Sequence, residues 1–238
     1  RQSGKTTLLR NLFGEQYQFI SLEPPDVRLA AQSDPRGFLN LYPAPIVFDE
    51  IQYAPGLLPY IKEKIDANRG KTGQYILTGS QNLLLMSQVT ESLAGRAAVL
   101  KLMPLTRREI ARMADNNFPW ENLPATSQPS ETPFELWKAI LRGSYPEPVS
   151  HPERDAHIWQ SSYIQTYLER DVRNLRNLGD LTQFQVFLRA LAARSAQILN
   201  LSDLARDVGI AVNTAKDWIS ILEASFQVII LRPYYANI

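Results

Sequence analysis

The residue types best suited to chemistry fall in two groups, Gly4-Lys5-Thr6-Thr7 and Asp49-Glu50. The first is the closing half of the phosphate-loop pattern G-x-x-x-x-G-K-[ST]. In such a loop, backbone N–H groups at a helix N-terminus point at anionic oxygens, and the helix dipole adds partial positive charge there. Lys5 would reach the outer phosphates, and the Thr6 hydroxyl would ligate Mg²⁺. Thr7 would cap the helix or touch the inner phosphate. The second group supplies paired carboxylates: Asp49 to hold the Mg²⁺ shell, Glu50 to orient or deprotonate an attacking water. A lone G-K-T is a common accident of composition, and Asp49-Glu50 alone would read as a solvated acidic turn. Together, with room between them for one strand and one helix, they describe a nucleotide site.

The elements that must position these groups are legible as patterns. Leu8, Leu9, Leu12 and Phe13 follow the loop at helical spacing, and Gly14 is a suitable stop. Ile46, Val47 and Phe48 form an uninterrupted apolar run, which suits a strand buried on both faces of a parallel sheet. Further strands are expected at Tyr17–Leu22, Gln74–Ser80 and Ala97–Leu102. Helical stretches such as Leu57, Leu58, Ile61, Ile65 separate them, so the expected fold is α/β with a parallel sheet. Thr106-Arg107-Arg108-Glu109 has the spacing of a capping box. Residues 115–133 are rich in proline and small polar residues and read as a linker.

Beyond the linker the pattern turns helical, over Phe134–Leu141, His157–Leu178 and Leu181–Arg194. A helix over Leu201–Val208, capped by Ser202, is followed by a turn at Gly209. A second helix is striped by Val212, Ala215, Trp218, Ile219 and Leu222. A strand over Gln227–Leu231, stopped by Pro233, would complete the order of a winged helix-turn-helix. The expected organisation is a nucleotide-binding domain with its linker at 1–133, a helical region at 134–195 and the winged helix at 196–238.

Composition narrows the function classes. The 238 residues have room for a sizeable core, and a net charge of +1 gives no global field towards nucleic acid or membrane. No cysteine is present, which excludes disulfides and thiolate metal sites. No apolar run approaches a membrane span, and no signal peptide is visible, so a cytoplasmic location is expected. The two histidines, His151 and His157, read as surface residues. The second helix of the C-terminal pair would expose Asn213, Thr214, Lys216, Asp217, Ser220 and Glu223, a poor face for neutralising phosphates. A packing or protein-interaction role is the stronger expectation there, with DNA the weaker.

Six stretches together resemble the prokaryotic AAA-type ATPases that carry a P-loop core, a winged-helix domain and a C-terminal domain of uncharacterised function. They are Arg1–Thr7, Ile46–Gln52, Ile76–Gln81, Ser92–Arg96, Leu141–Pro148 and Tyr167–Asp171. The resemblance implies ATP and Mg²⁺ as ligands. It implies that Ser80 and Gln81 occupy the position that senses the γ-phosphate, although a simple turn after a strand is an equal reading. It implies that Arg96 neutralises transition-state charge in its own or a neighbouring subunit, or else forms a structural salt bridge. Glu169, Arg170, Asp171 and Arg173 form a further matching cluster that reads as a solvated helix face. Two functions follow: Mg-dependent ATP hydrolysis that moves the winged helix and C-terminal module, or an ATP-responsive regulator with vestigial hydrolysis that contacts DNA or protein. Arginine supplied across subunits would require a homo-oligomer.

The pattern's opening glycine and the family's first strand would both precede Arg1, and the C-terminal domain would follow Ile238. The chain therefore reads as a fragment, and by itself it is expected to bind ATP weakly or not at all.

Overall fold

The computed structural model describes residues 2–79, 91–113, 133–168 and 181–233. The described residues form two compact units, one ending at Tyr163 and the other starting at Ile164.

The first unit opens with α1 (Lys5–Phe13), which Gly4 introduces in a left-handed conformation, φ 86°. Strand β1 (Gln18–Ser21) follows, then α2 (Pro25–Ser33) and α3 (Pro35–Leu41). Both helices begin with proline, whose missing N–H costs nothing in a first turn, and Asp34 caps α3 by accepting from the Gly37 N–H at 2.9 Å. Strand β2 (Ile46–Asp49) leads through two short 3₁₀ turns into α4 (Leu58–Ala67), and β3 (Tyr75–Leu77) comes next.

The three strands pair in parallel in the order β1-β2-β3, as the alternation of strands and helices requires. Ile46, Val47 and Phe48 are fully buried, so β2 is the centre of this sheet. Around it pack Leu22, Phe38, Leu39, Ile51, Leu57, Leu58 and Ile61, and the Phe48 ring stacks on Tyr75 with centroids 6.5 Å apart. The register sets Ser21 and Leu77 beside the last residues of β2, so the C-terminal ends of the three strands form one edge.

Residues 97–102 depart from the expectation of a fourth strand. They carry no strand pairing, and Val99 and Leu100 are exposed. A strand is stabilised by its neighbours' backbone groups, and among the described residues no paired edge lies beside this stretch. The capping box at Thr106–Glu109 is present as expected and starts the one-turn helix α5 (Arg107–Ile110). Helices α6 (Pro133–Arg142), α7 (Pro146–Ser150) and α8 (Ala156–Tyr163) close the unit.

The second unit packs α9 (Leu181–Ala193), α10 (Leu201–Val208) and α11 (Val212–Ala224) around Trp218. Phe184 and Phe187 both meet the Trp218 ring edge-on at 5.2 Å, a geometry that the ring quadrupoles favour. The cap of α10 is Asn200 rather than Ser202: its side chain accepts from the Ser202 and Asp203 N–H groups. Asparagine caps as well as serine, and the helix has the expected bounds, Leu201–Val208. Gly209, at φ 75°, makes the turn to α11.

The expected strand over Gln227–Leu231 is not paired with any strand among the described residues. Val228 and Ile230 pack on the core while Ile229 and Leu231 face out, so the alternation is real, but among the described residues no ladder makes it a wing. The described part of this unit is therefore a three-helix core.

Because Phe187 is fully buried against Trp218, Phe187→Ala should destabilise the second unit by about 3–5 kcal/mol. Chemical denaturation followed by circular dichroism measures this.

Candidate nucleotide site

Two hydroxyls converge on the end of β2. The Thr6 Oγ1 hydroxyl donates to Asp49 Oδ2 at 2.8 Å, and the Thr78 Oγ1 hydroxyl donates to Asp49 Oδ1. Thr6 stands in the first turn of α1, and Thr78 follows β3 directly. Each oxygen of the carboxylate thus accepts from a different element. This is the arrangement that a half-buried charge at a strand end requires, because an ion taken from water must recover its hydrogen bonds.

The loop itself has the backbone that phosphate binding needs. Gly4 at φ 86° turns the chain so that α1 opens on it, a conformation that a side chain resists. A Cβ built on Gly4 would lie 3.5 Å from Pro146 Cγ, at the start of α7. Pro146 therefore lies beside the phosphate loop, a neighbourhood that spacing in the sequence could not reveal. Lys5 is half-buried, and among the described residues nothing pairs with its ammonium. Thr7 is exposed and makes no capping bond, so of its two expected roles only a phosphate contact is open to it.

Glu50 occupies the left-handed region at φ 58°, ψ 48°. Few residues other than glycine are found there, and such strain clusters at functional sites. Its Oε2 accepts from the Gln52 amide, a neighbour the sequence reading did not single out. Thr78 was also missed. Only the strand register reveals it: Leu77 lies beside Phe48, so the hydroxyl residue one position on lies next to Asp49. Ser80 and Gln81 lie outside the described residues, as do Glu169, Arg170, Asp171 and Arg173.

Arg96 is not brought to this site. Its guanidinium grips Asp66 in the last turn of α4 with two bonds, 2.8 and 3.1 Å, and also donates to the Ala94 carbonyl. Asp66 and Arg96 share a cleft with Gln74 and Tyr75, where β3 begins, whereas Thr6, Asp49 and Thr78 gather where the strands end. Within its own chain the arginine is therefore in the salt-bridge arrangement. The hydrogen bond from Arg96, with its charge, holds the Asp66 carboxyl below its ordinary 3.8.

The donor set fits Mg²⁺. A hydroxyl and one carboxylate are hard oxygen ligands, and Mg²⁺ is usually held by one or two carboxylates with substrate phosphates and water completing the shell. Among the described residues there is no cluster of three His, Cys, Asp or Glu that would make a protein-only metal cage.

Comparison with known proteins agrees with this geometry. Residues 1–111 match the family model described as an AAA domain. The match supports an AAA-type P-loop family and nucleotide binding of the ATPase kind. Residues 134–238 match a domain of unknown function, DUF8612. The chain is 31% identical over 245 aligned positions to the uncharacterized protein Rv2008c of Mycobacterium tuberculosis, and equally to the uncharacterized protein Mb2031c of Mycobacterium bovis. Each alignment covers 100% of this chain and 49% of the relative, so the chain spans about half the length of the relatives it matches. No solved structure matches. Among the described residues no helix is long and apolar enough to cross a membrane.

The Asp66–Arg96 pair has a definite pH signature. A carboxyl depressed in the folded state adds stability above its unfolded pKa and loses it as pH falls through the folded one. Asp66→Asn should therefore lower the melting temperature near neutral pH. Its difference from the unaltered protein should shrink as pH is taken below 3.8, read from melting curves across an acid series.

Proposed function

We propose that, in the full-length gene product, these residues bind Mg-ATP and hydrolyse it, with the γ-phosphate state moving the helical module that follows. The single observation that carries this is the 2.8 Å bond from Thr6 to Asp49, which joins two motifs far apart in sequence at the N-terminus of one helix. In this reading Gly4 and the first N–H groups of α1 cradle the phosphates, and Lys5 adds charge at the outer ones. Thr7 contacts the inner phosphate. Thr6 and Asp49 hold the Mg²⁺. When bound, that ion would offset the negative charge that develops in phosphoryl transfer. Glu50, fixed in its strained conformation, orients the attacking water and takes its proton. Ser80 and Gln81, which follow Thr78 after one glycine, are assigned to sensing the γ-phosphate. Arg96, already engaged by Asp66, is assigned a structural role within its own subunit.

A second reading is favoured by the bond from Gln52 to Glu50. If that contact persists with nucleotide bound, the carboxylate is held from the water and the protein is an ATP-responsive regulator. In either case the partner of the second unit is better sought among proteins than DNA. Arg194 is paired with Asp207, Arg206 with Asp203, and Arg232 with Glu223. Among the described cations of that unit, this leaves Arg189 and Lys216 without an ion pair, too few for a strong phosphate-binding face.

The deciding experiment measures Mg-ATP binding and turnover by the full-length gene product beside Glu50→Gln. Loss of turnover by about 10²–10⁴-fold with binding retained supports the ATPase. Binding without turnover in both proteins supports the regulator, and absence of binding rejects both.

A further inference from the structure

Thr78 makes three hydrogen bonds to one corner of the chain. Its N–H donates to the Phe48 carbonyl at 3.0 Å, and its carbonyl accepts from the Ile51 N–H at 2.9 Å. Its hydroxyl donates to Asp49 Oδ1. Phe48 precedes Asp49 and Ile51 follows Glu50, so the backbone of Thr78 brackets the two acidic residues while its side chain orients one of them. The residue is only 6% exposed, so no water competes effectively for the hydroxyl. With the second carboxylate oxygen taken by Thr6, rotation of Asp49 about its last bond would break a bond at each end.

We propose that Thr78 is the positioning residue of the metal site: its hydroxyl fixes the Asp49 carboxylate in the orientation that serves Mg²⁺, and its backbone fixes the corner that presents Glu50. The inference rests on the reading of Thr6 and Asp49 as the Mg²⁺ site. Without the hydroxyl, Asp49 Oδ1 would lose its protein donor, and the carboxylate would be free to turn. Partners that orient metal ligands in this way typically contribute 10–100-fold to metal affinity.

The test is Mg²⁺ titration of the binding of a fluorescent ATP analogue to the full-length gene product and to Thr78→Val and Thr78→Ser. Valine keeps the branched shape and both backbone bonds; serine keeps the hydroxyl. The expected result is that Thr78→Val needs about 10–100-fold more Mg²⁺ for half-maximal binding, and that Thr78→Ser behaves as the unaltered protein. Should the valine variant fail to fold, Thr78→Ala is read in its place. Equal Mg²⁺ dependence in the valine variant and the unaltered protein overturns the proposal while leaving the ATP site intact. An equal shift in the serine and valine variants also overturns it, because the lost methyl and not the hydroxyl would then be responsible. Nucleotide binding by the unaltered protein that ignores Mg²⁺ removes the metal site itself, and the proposal with it.

Discussion

The Asp49 carboxylate is the point on which the first unit turns. Strand β2 is buried along its length, so it can present polar chemistry only where it ends. A charge placed there must be met by donors, and charged hydrogen bonds of this kind contribute about 1.5–3 kcal/mol each. Thr6 and Thr78 meet it from α1 and from the end of β3. One side chain therefore ties the phosphate loop to two strands, and the loop's position follows from the sheet's. A change in the charge near Asp49, such as arrival of a cation, would be felt at both threonines.

Much of this was legible because it is local or periodic. The apolar run Ile46–Phe48 announced a central strand, and the spacing after Gly4 announced α1. The pairing of Thr6 with Asp49 followed from the chemistry their motifs share. What escaped the sequence was non-local. Thr78 matters because parallel register sets it beside Asp49, and no period along the chain encodes register between strands. Arg96 meets Asp66 across 30 residues, and a guanidinium that suits a phosphate suits a carboxylate equally. Residues 97–102 and 227–231 have strand-like composition, but β-propensity records fit to a neighbouring strand more than an intrinsic preference. Without such a neighbour among the described residues, the composition yields no strand. Asn200 displaced Ser202 as a cap for a narrower reason: adjacent polar residues compete to start a helix, and pattern alone does not rank them.

The second unit shows the same limit for electrostatics. Counting charges along α11 gave a weak case for nucleic acid, and the fold weakens it further by pairing three arginines with acids drawn from other turns and helices. These pairs lie at the surface, where each adds little to stability. Their consequence is instead for recognition: a guanidinium already held by a carboxylate must lose that partner before it can take a phosphate. The aromatic packing of Phe184, Phe187 and Trp218 supplies the stability.

Glu50 brings the two themes together. A non-glycine residue in the left-handed region costs on the order of 1–3 kcal/mol, and nothing about its neighbours in sequence requires that conformation. The Thr78 backbone does: it receives the Ile51 N–H on one side and reaches the Phe48 carbonyl on the other, so the two residues between must turn sharply. Two backbone bonds, each with a net worth of about 0.5–1.5 kcal/mol, are enough to offset the strain. The corner is then not a relaxed loop that acquires its shape when ligand arrives. It is held beforehand by the same strand end that orients Asp49, so the residue assigned to the metal and the residue assigned to the water are set by one support. Preorganisation of that sort is what phosphoryl transfer demands of a protein, since the reaction asks for position and charge rather than covalent chemistry.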